Sequence, residues 1–276
     1  MPLESEYADD VDFLDDDILK LQFIQAVASH VLPQWNLNMN TTKTEFVDFH
    51  LAQKDDADFE KEDWRVSRLL GSLMCSIQDI KQRCIKGNIA FNSFKAVWLE
   101  GRRIPLTKLI VIYEAMVVSV IMYNCSSWAA TKDVLEKLDV CHRKHLRQIL
   151  KIKWPTTITN VKLYEICKTI PLSLRVKTSR WKMFGHILRS PENSPAALSL
   201  QFAVSQISEL KGRRGRHRIN LLTILRDDLN RIPIDFTSEN SNRHKKLSLK
   251  SPTDISILRE IASDRREWRV LFNYIV

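Results

Sequence analysis

Residues 3–14 alternate apolar and polar positions around a tight centre, Tyr7-Ala8-Asp9-Asp10, the pattern of a β-hairpin. The period changes directly afterwards. "DDDILKLQFIQAVASHVL" at 15–32 predicts an acid-capped helix that ends near Pro33. "NMNTTKTEFVDFHLA" at 38–52 reads as a turn followed by a strand over 44–51, with Phe46 and Phe49 among its apolar positions. The polar loop "DDADFEKED" comes next, and "SRLLGS" predicts a short strand within 66–71 with a glycine turn. These strands are expected to join the hairpin in one small antiparallel sheet. A two-stranded hairpin is marginal by itself, so this part is expected to be the least ordered of the folded chain unless it leans on helices.

From Ser76 the pattern is helical almost to the end. Ser76 and Asp79 have capping-box spacing, and Ile77, Ile80, Cys84, Phe91, Phe94 and Trp98 follow as a helical stripe. Pro105 opens an apolar helix. Asp133 opens another, with Leu138, His145 or Leu146, and Ile149 inward, and Pro155 breaks it. Shorter helices are predicted near 158–168 and 172–190, the second carrying Trp181, Phe184 and Leu188 on one face. Beyond the basic loop "KGRRGRHR" (211–218), Leu222, Leu225, Leu229 and Ile232 mark a further helix. Ser251, Pro252 and Asp254 start a single last helix through Leu258, Ile261, Trp268 and Leu271. The fold class is therefore α+β, mostly α.

Composition sharpens this picture. The 276 residues, 44% hydrophobic, suffice for one large domain or two small ones. Six glycines are few against a usual share of about 7%, which disfavours glycine-dependent sheet architectures. The net charge of +9 is unevenly spread: residues 1–62 carry 15 acids and 4 bases, a net −11, and the remainder 18 acids and 38 bases, a net +20. Such asymmetry suggests a polyanion partner for the basic part, although a solvated basic surface has the same composition. The five cysteines form no C-x-x-C pair, which speaks against a zinc or disulfide framework and fits a reducing compartment. Cys141, His142 and His145 lie in the strongly basic "CHRKHLR", which would repel a cation. The acidic start is no signal peptide. "LIVIYEAMVVSVIMY" is shorter than the roughly 20 apolar residues of a membrane span and contains Glu114, so it reads as a buried helix. The expected location is intracellular, in nucleus or cytoplasm, with no membrane partner and no secretion.

Adjacent carboxylates at a hairpin turn suit a hard divalent cation, which takes oxygen ligands. Asp also favours turns for local reasons, and the triple Asp15, Asp16, Asp17 suits the positive end of a helix. "EYADDVDF" resembles the Tyr/Phe-Ala-Asp-Asp box of reverse transcriptases. In order behind it, "WNLNMNTTKTEFV" resembles the next palm block, and "RLLGS" the Leu-Gly block that leads into the thumb. "IPLTKLIVIYEAMVVSVIMYNCSSW", "RWKMFGHILRSPENSPA", "KGRRGRHRINLLTILRDDL" and "ASDRREWRVLF" resemble the region after the palm in non-LTR (LINE-type) retrotransposon reverse transcriptases.

The resemblance implies a partial palm at 1–72, a helical thumb-like region at 73–155 and a helical basic C-terminal region at 156–276. It implies RNA-directed DNA polymerase activity, an RNA template and a DNA primer as partners, and Mg2+ (or Mn2+) as cofactor. Asp9 would be a direct metal ligand and Asp10 the second acid of the box, with Tyr7 and Ala8 shaping the floor under the primer terminus. Lys43 would lie near the nucleotide phosphates, though a lysine before a strand is equally an exposed surface group. Leu70 and Gly71 would grip the primer. The family's upstream metal-binding aspartate and its fingers have no match in these 276 residues. Neighbouring carboxylates without the opposing one leave a metal under-coordinated and raise one pKa. Phosphoryl transfer depends on positioning, so a truncated reverse transcriptase, inert alone, is expected.

Arg143, Arg147 and Lys151 are spaced four apart and predict a basic helix face, with Lys144 beside them and Leu138 and Ile149 on the other side. Lys211, Arg213, Arg214, Arg216 and Arg218 form a second cluster without acids. Both suit a phosphate backbone. Trp154, next to the first cluster, could stack on a base, but burial beside the helix end is the expectation. A non-catalytic nucleic-acid-binding protein built on thumb and tail is the alternative.

Overall fold

The computed structural model describes residues 3–8, 10–47, 67–100, 104–207, 219–231 and 247–275. The chain is α+β and mostly helical, with small antiparallel pairings near its N-terminus. It divides into two compact units, 1–78 and 79–276.

In the first unit, β1 (Leu3–Tyr7) pairs antiparallel with β2 (Asp10–Leu14), Tyr7 opposite Asp10 and Leu3 opposite Leu14. Helix α1 (Ile18–Val31) starts where the Asp17 side chain accepts from Leu19 N at 2.9 Å. None of its side chains is buried, and Leu19 and Phe23 are each 70% exposed. Pro33 lies in the short 3-10 turn Leu32–Trp35 that ends the helix.

The expected three-part sheet does not form among the described residues. Thr44 turns back onto Asn40 O through its N–H (3.1 Å) and its hydroxyl (3.0 Å); residues 44–46 are not strand, and Val47 forms a single β-bridge. Such local side-chain bonds compete with a ladder. Residues 48–51 lie outside the described part. β3 (Arg68–Leu69) pairs with β4 (Ser72–Leu73) rather than with the first hairpin.

The described part of the second unit is helical. α2 (Ser76–Ser93) and α3 (Lys95–Glu100) are separated at Phe94. α4 (Leu106–Tyr113) continues through one wider π turn, Glu114–Val118, into α5 (Ser119–Ile121). α6 (Lys132–Ile149), α7 (Asn160–Cys167) and the first half of α8 (Leu172–Arg189) complete a first core around Tyr113, Val117, Ile121, Trp128, Leu138 and Leu146. This core runs across Pro155 without interruption. The second half of α8 supplies Trp181, Phe184 and Leu188 to a second core with α9 (Pro195–Ile207), α10 (Leu221–Leu229), α11 (Pro252–Ser263) and α12 (Arg265–Ile275).

The single last helix expected from the sequence is two. Asp264 adopts an extended backbone, and its side chain accepts from Arg266 N at 2.7 Å, capping a new helix. As expected, Ser251 caps α11 in a box with Asp254.

Two glycines allow close helix contact. A Cβ at Gly87 would overlap the Ile121 side chain, and one at Gly185 would overlap the Trp268 indole. Buried polar groups tie the helices further. Arg180 Nη2 donates to Trp128 O (2.9 Å), Trp128 Nε1 to Asp79 Oδ2 (2.8 Å) and Trp181 Nε1 to Asp228 Oδ2 (3.0 Å), with Lys177 3.2 Å from Oδ1 of Asp228. No helix of the described residues is long and apolar enough to cross a membrane.

Candidate nucleic-acid and nucleotide sites

The Tyr7-Ala8-Asp9-Asp10 stretch occupies a two-residue hairpin turn. Ala8 holds φ at +56°, a left-handed conformation that costs a residue with a Cβ. Asp9 lies outside the described residues. Asp10 opens β2 and is exposed, and Tyr7, opposite it, is 66% exposed. Asp12 follows two residues on, on the same strand face as Asp10. Its carboxyl is pushed up, first by partial burial and then by the charge of Asp10. Among the described residues no three His, Cys, Asp or Glu side chains converge as a metal site. A Mg2+ ion is commonly held by one or two carboxylates together with waters and substrate phosphates.

Lys43 is exposed in a separate turn built on Asn40. Lys43 N donates to Asn40 O (3.0 Å), and Asn40 Oδ1 accepts from Thr42 Oγ1 (2.7 Å). Leu70 (φ +47°) and Gly71 (φ +75°) form the two-residue turn between β3 and β4. Left-handed values at both positions match the twist of a tight hairpin. Gly71 takes this conformation freely, and Leu70 is strained by it.

The basic stripe on α6 differs from its prediction. Arg143 is turned inward: it pairs with Glu136, and its contacts to Glu136 and Tyr164 outweigh the desolvation that opposes its charge. Arg147 Nη2 donates to Asn160 Oδ1 at 2.7 Å. Lys151 is not on the helix face, because the helix ends at Ile149 and Lys151 reverses the chain with φ +57°. Lys144 and Lys151 are exposed. Lys211, Arg213, Arg214, Arg216 and Arg218 lie outside the described residues. Trp154, expected to be buried, is 89% exposed.

Sequence reasoning missed a buried polar cluster at the centre of the first core. Tyr113 Oη lies 2.8 Å from His142 Nδ1 and 3.3 Å from His145 Nδ1, so one hydroxyl proton faces two ring nitrogens. His145 Nε2 donates to Asn88 Oδ1 at 2.8 Å, and the ring stacks on Phe91 with centroids 4.2 Å apart. Burial, then the charge of Arg175, lowers the His142 pKa to about 3; burial, then Lys144, lowers that of His145 to about 4. Both imidazoles are neutral in the fold near neutral pH. Glu114 projects from the π turn onto Arg175 in a two-pronged pair, Nη2 to Oε1 at 2.7 Å, with Thr169 Oγ1 bonded to both partners. The Cys141 thiol contacts Cys84, whose S–H holds the Cys141 pKa down, and it also reaches Asn88 Oδ1 at 3.7 Å. The signal was present: His142 and His145 are three apart on the inner side of a predicted helix, and Tyr113 and Glu114 interrupt an apolar run.

No family model, curated protein or solved structure matches the chain.

Proposed function

We propose that the chain is the C-terminal part of a non-LTR retrotransposon reverse transcriptase, with a partial palm, thumb and tail, and that it is inert as a polymerase by itself. The observation that carries this reading is the coincidence of the Tyr-Ala-Asp-Asp sequence with a two-residue hairpin turn, Tyr7 opposite Asp10 and Asp10 open to solvent. The tight turn at Leu70–Gly71 supports the same reading, in which this bend grips the primer. RNA template and DNA primer are the proposed partners, and Mg2+ the proposed cofactor of the completed site. A nucleus or cytoplasm location belongs to the same reading.

The test is primer extension on an RNA template with Mg2+ or Mn2+. The purified chain should give no template-dependent product. Adding a polypeptide that carries a palm strand with the opposing aspartate should restore extension, and Asp9→Ala should abolish it. Extension by the chain alone that is lost in Asp9→Ala overturns the proposed inertness.

A second reading is favoured by the exposed Lys144, Lys151, Lys153 and Trp154 in the +20 part of the chain: a nucleic-acid-binding protein without catalysis. It stands instead if salt-sensitive binding persists while Asp9 and Asp10 prove dispensable in every complementation.

A further inference from the structure

We propose that the loop between α6 and α7 is a stacking platform for single-stranded nucleic acid, with Trp154 as the base contact and Lys151 and Lys153 as the phosphate contacts. This rests on the reading of the helical part as a nucleic-acid-binding surface and locates the contact.

The loop is held at its base and open at its tip. Arg147 Nη2 to Asn160 Oδ1 joins the end of α6 to the start of α7. Ile152 N donates to Arg147 O (2.9 Å), closing the helix end behind the left-handed Lys151. Ile152 and Ile158 pack against the first core on either side of the tip. Between them a tight turn, Thr156 N to Lys153 O at 2.9 Å, carries Trp154 outward.

A tryptophan normally buries much of its large surface. This one is 89% exposed, whereas Trp98, Trp128 and Trp181 are almost wholly buried. Its indole therefore offers both faces on a support anchored at both ends. The occupant is chosen by charge. Residues 140–164 contain six Lys or Arg and no Asp or Glu. Of these bases, Arg143 pairs with Glu136 and Arg147 donates to Asn160, while Lys144, Lys151, Lys153 and Lys162 are exposed. A flat aromatic flanked by lysines fits a chain of alternating phosphates and unstacked bases. A duplex keeps its bases stacked and would not use the indole.

The experiment is fluorescence anisotropy of fluorescein-labelled oligo(dT), oligo(U) and a blunt DNA duplex with the full chain across a salt series. Trp154→Ala should weaken single-strand binding about 5- to 150-fold, the span expected of base–aromatic stacking. Trp154→Phe should recover most of it, and duplex binding should change little in either. Lys151→Gln with Lys153→Gln should flatten the salt dependence. Because the indole is exposed, the circular dichroism of Trp154→Ala should match the parent protein. Wild-type affinity of Trp154→Ala for both oligonucleotides overturns the platform and leaves the nucleic-acid-binding reading standing. Absence of binding to any probe overturns both. Equal competition by polyglutamate overturns the choice of occupant.

Discussion

His142 and His145 illustrate how a side chain's role is decided by its surroundings. In the sequence they are members of a basic run. In the fold they are neutral rings between Tyr113, Asn88, Phe91 and Tyr164, with Arg175, Arg143, Lys144 and Cys141 near them. Their folded pKa values, about 3 and about 4, lie below the ordinary 6.5. As pH falls from about 6.5 toward these values the unfolded chain binds protons that the folded chain refuses. Stability is therefore fully present above pH 6.5 and declines by about 1.4 kcal/mol per pH unit per histidine on acidification. Urea midpoints measured from pH 7 to pH 4.5 should fall steeply in the parent protein and less steeply in His142→Gln/His145→Gln. Parallel slopes would refute the neutral buried pair. Thiol chemistry gives a second check at this scale. Iodoacetamide should label Cys141 before Cys84, because the Cys84 S–H stabilises the Cys141 thiolate while Cys84 itself is pushed up. Preferential labelling of Cys84, read by peptide mass, would contradict this arrangement.

Helix boundaries were legible at several positions where a cap or a proline announced them. Asp17, Ser251 with Asp254, and the halt near Pro33 all lie where the pattern put them. The break at Asp264 was hidden, although Asp264 and Glu267 have capping spacing, because the apolar stripe runs through Leu258, Ile261, Trp268 and Leu271 without losing phase. Asp264→Ala should cost about 0.5–2 kcal/mol, measured by urea denaturation, with the loss of amide protection confined to the first turn of α12. An unchanged midpoint would mean that the cap contributes nothing. Lys151 failed for the opposite reason: four-residue spacing was extended past the end of α6, where the chain had already reversed. The strand expected at 44–51 was a propensity argument; Thr44 is drawn back onto Asn40 instead, and among the described residues only Val47 forms a β-bridge.

At the scale of the whole molecule, α8 belongs to both cores of the helical unit, so that unit should unfold as one. Gly185→Ala, which drives a methyl group into Trp268, should destabilise it by about 1–3 kcal/mol. Thermal transitions followed by circular dichroism and by tryptophan fluorescence should shift by the same amount. A shift confined to one of two separate transitions would show that the cores are independent. The sequence by itself determined the hairpin, the helical class and the order of most helices, because each depends on neighbours within about four residues. It also determined the acidic-to-basic change along the chain, which is a matter of composition. Only the tertiary structure decided which basic side chains find a partner: Arg143 pairs with Glu136 and Arg175 with Glu114, and Arg147 donates to the neutral Asn160. The same holds for the tryptophans, with Trp128 and Trp181 sealed inside and Trp154 left in solvent. Burial and pairing depend on partners far away in the chain, and no local period records them.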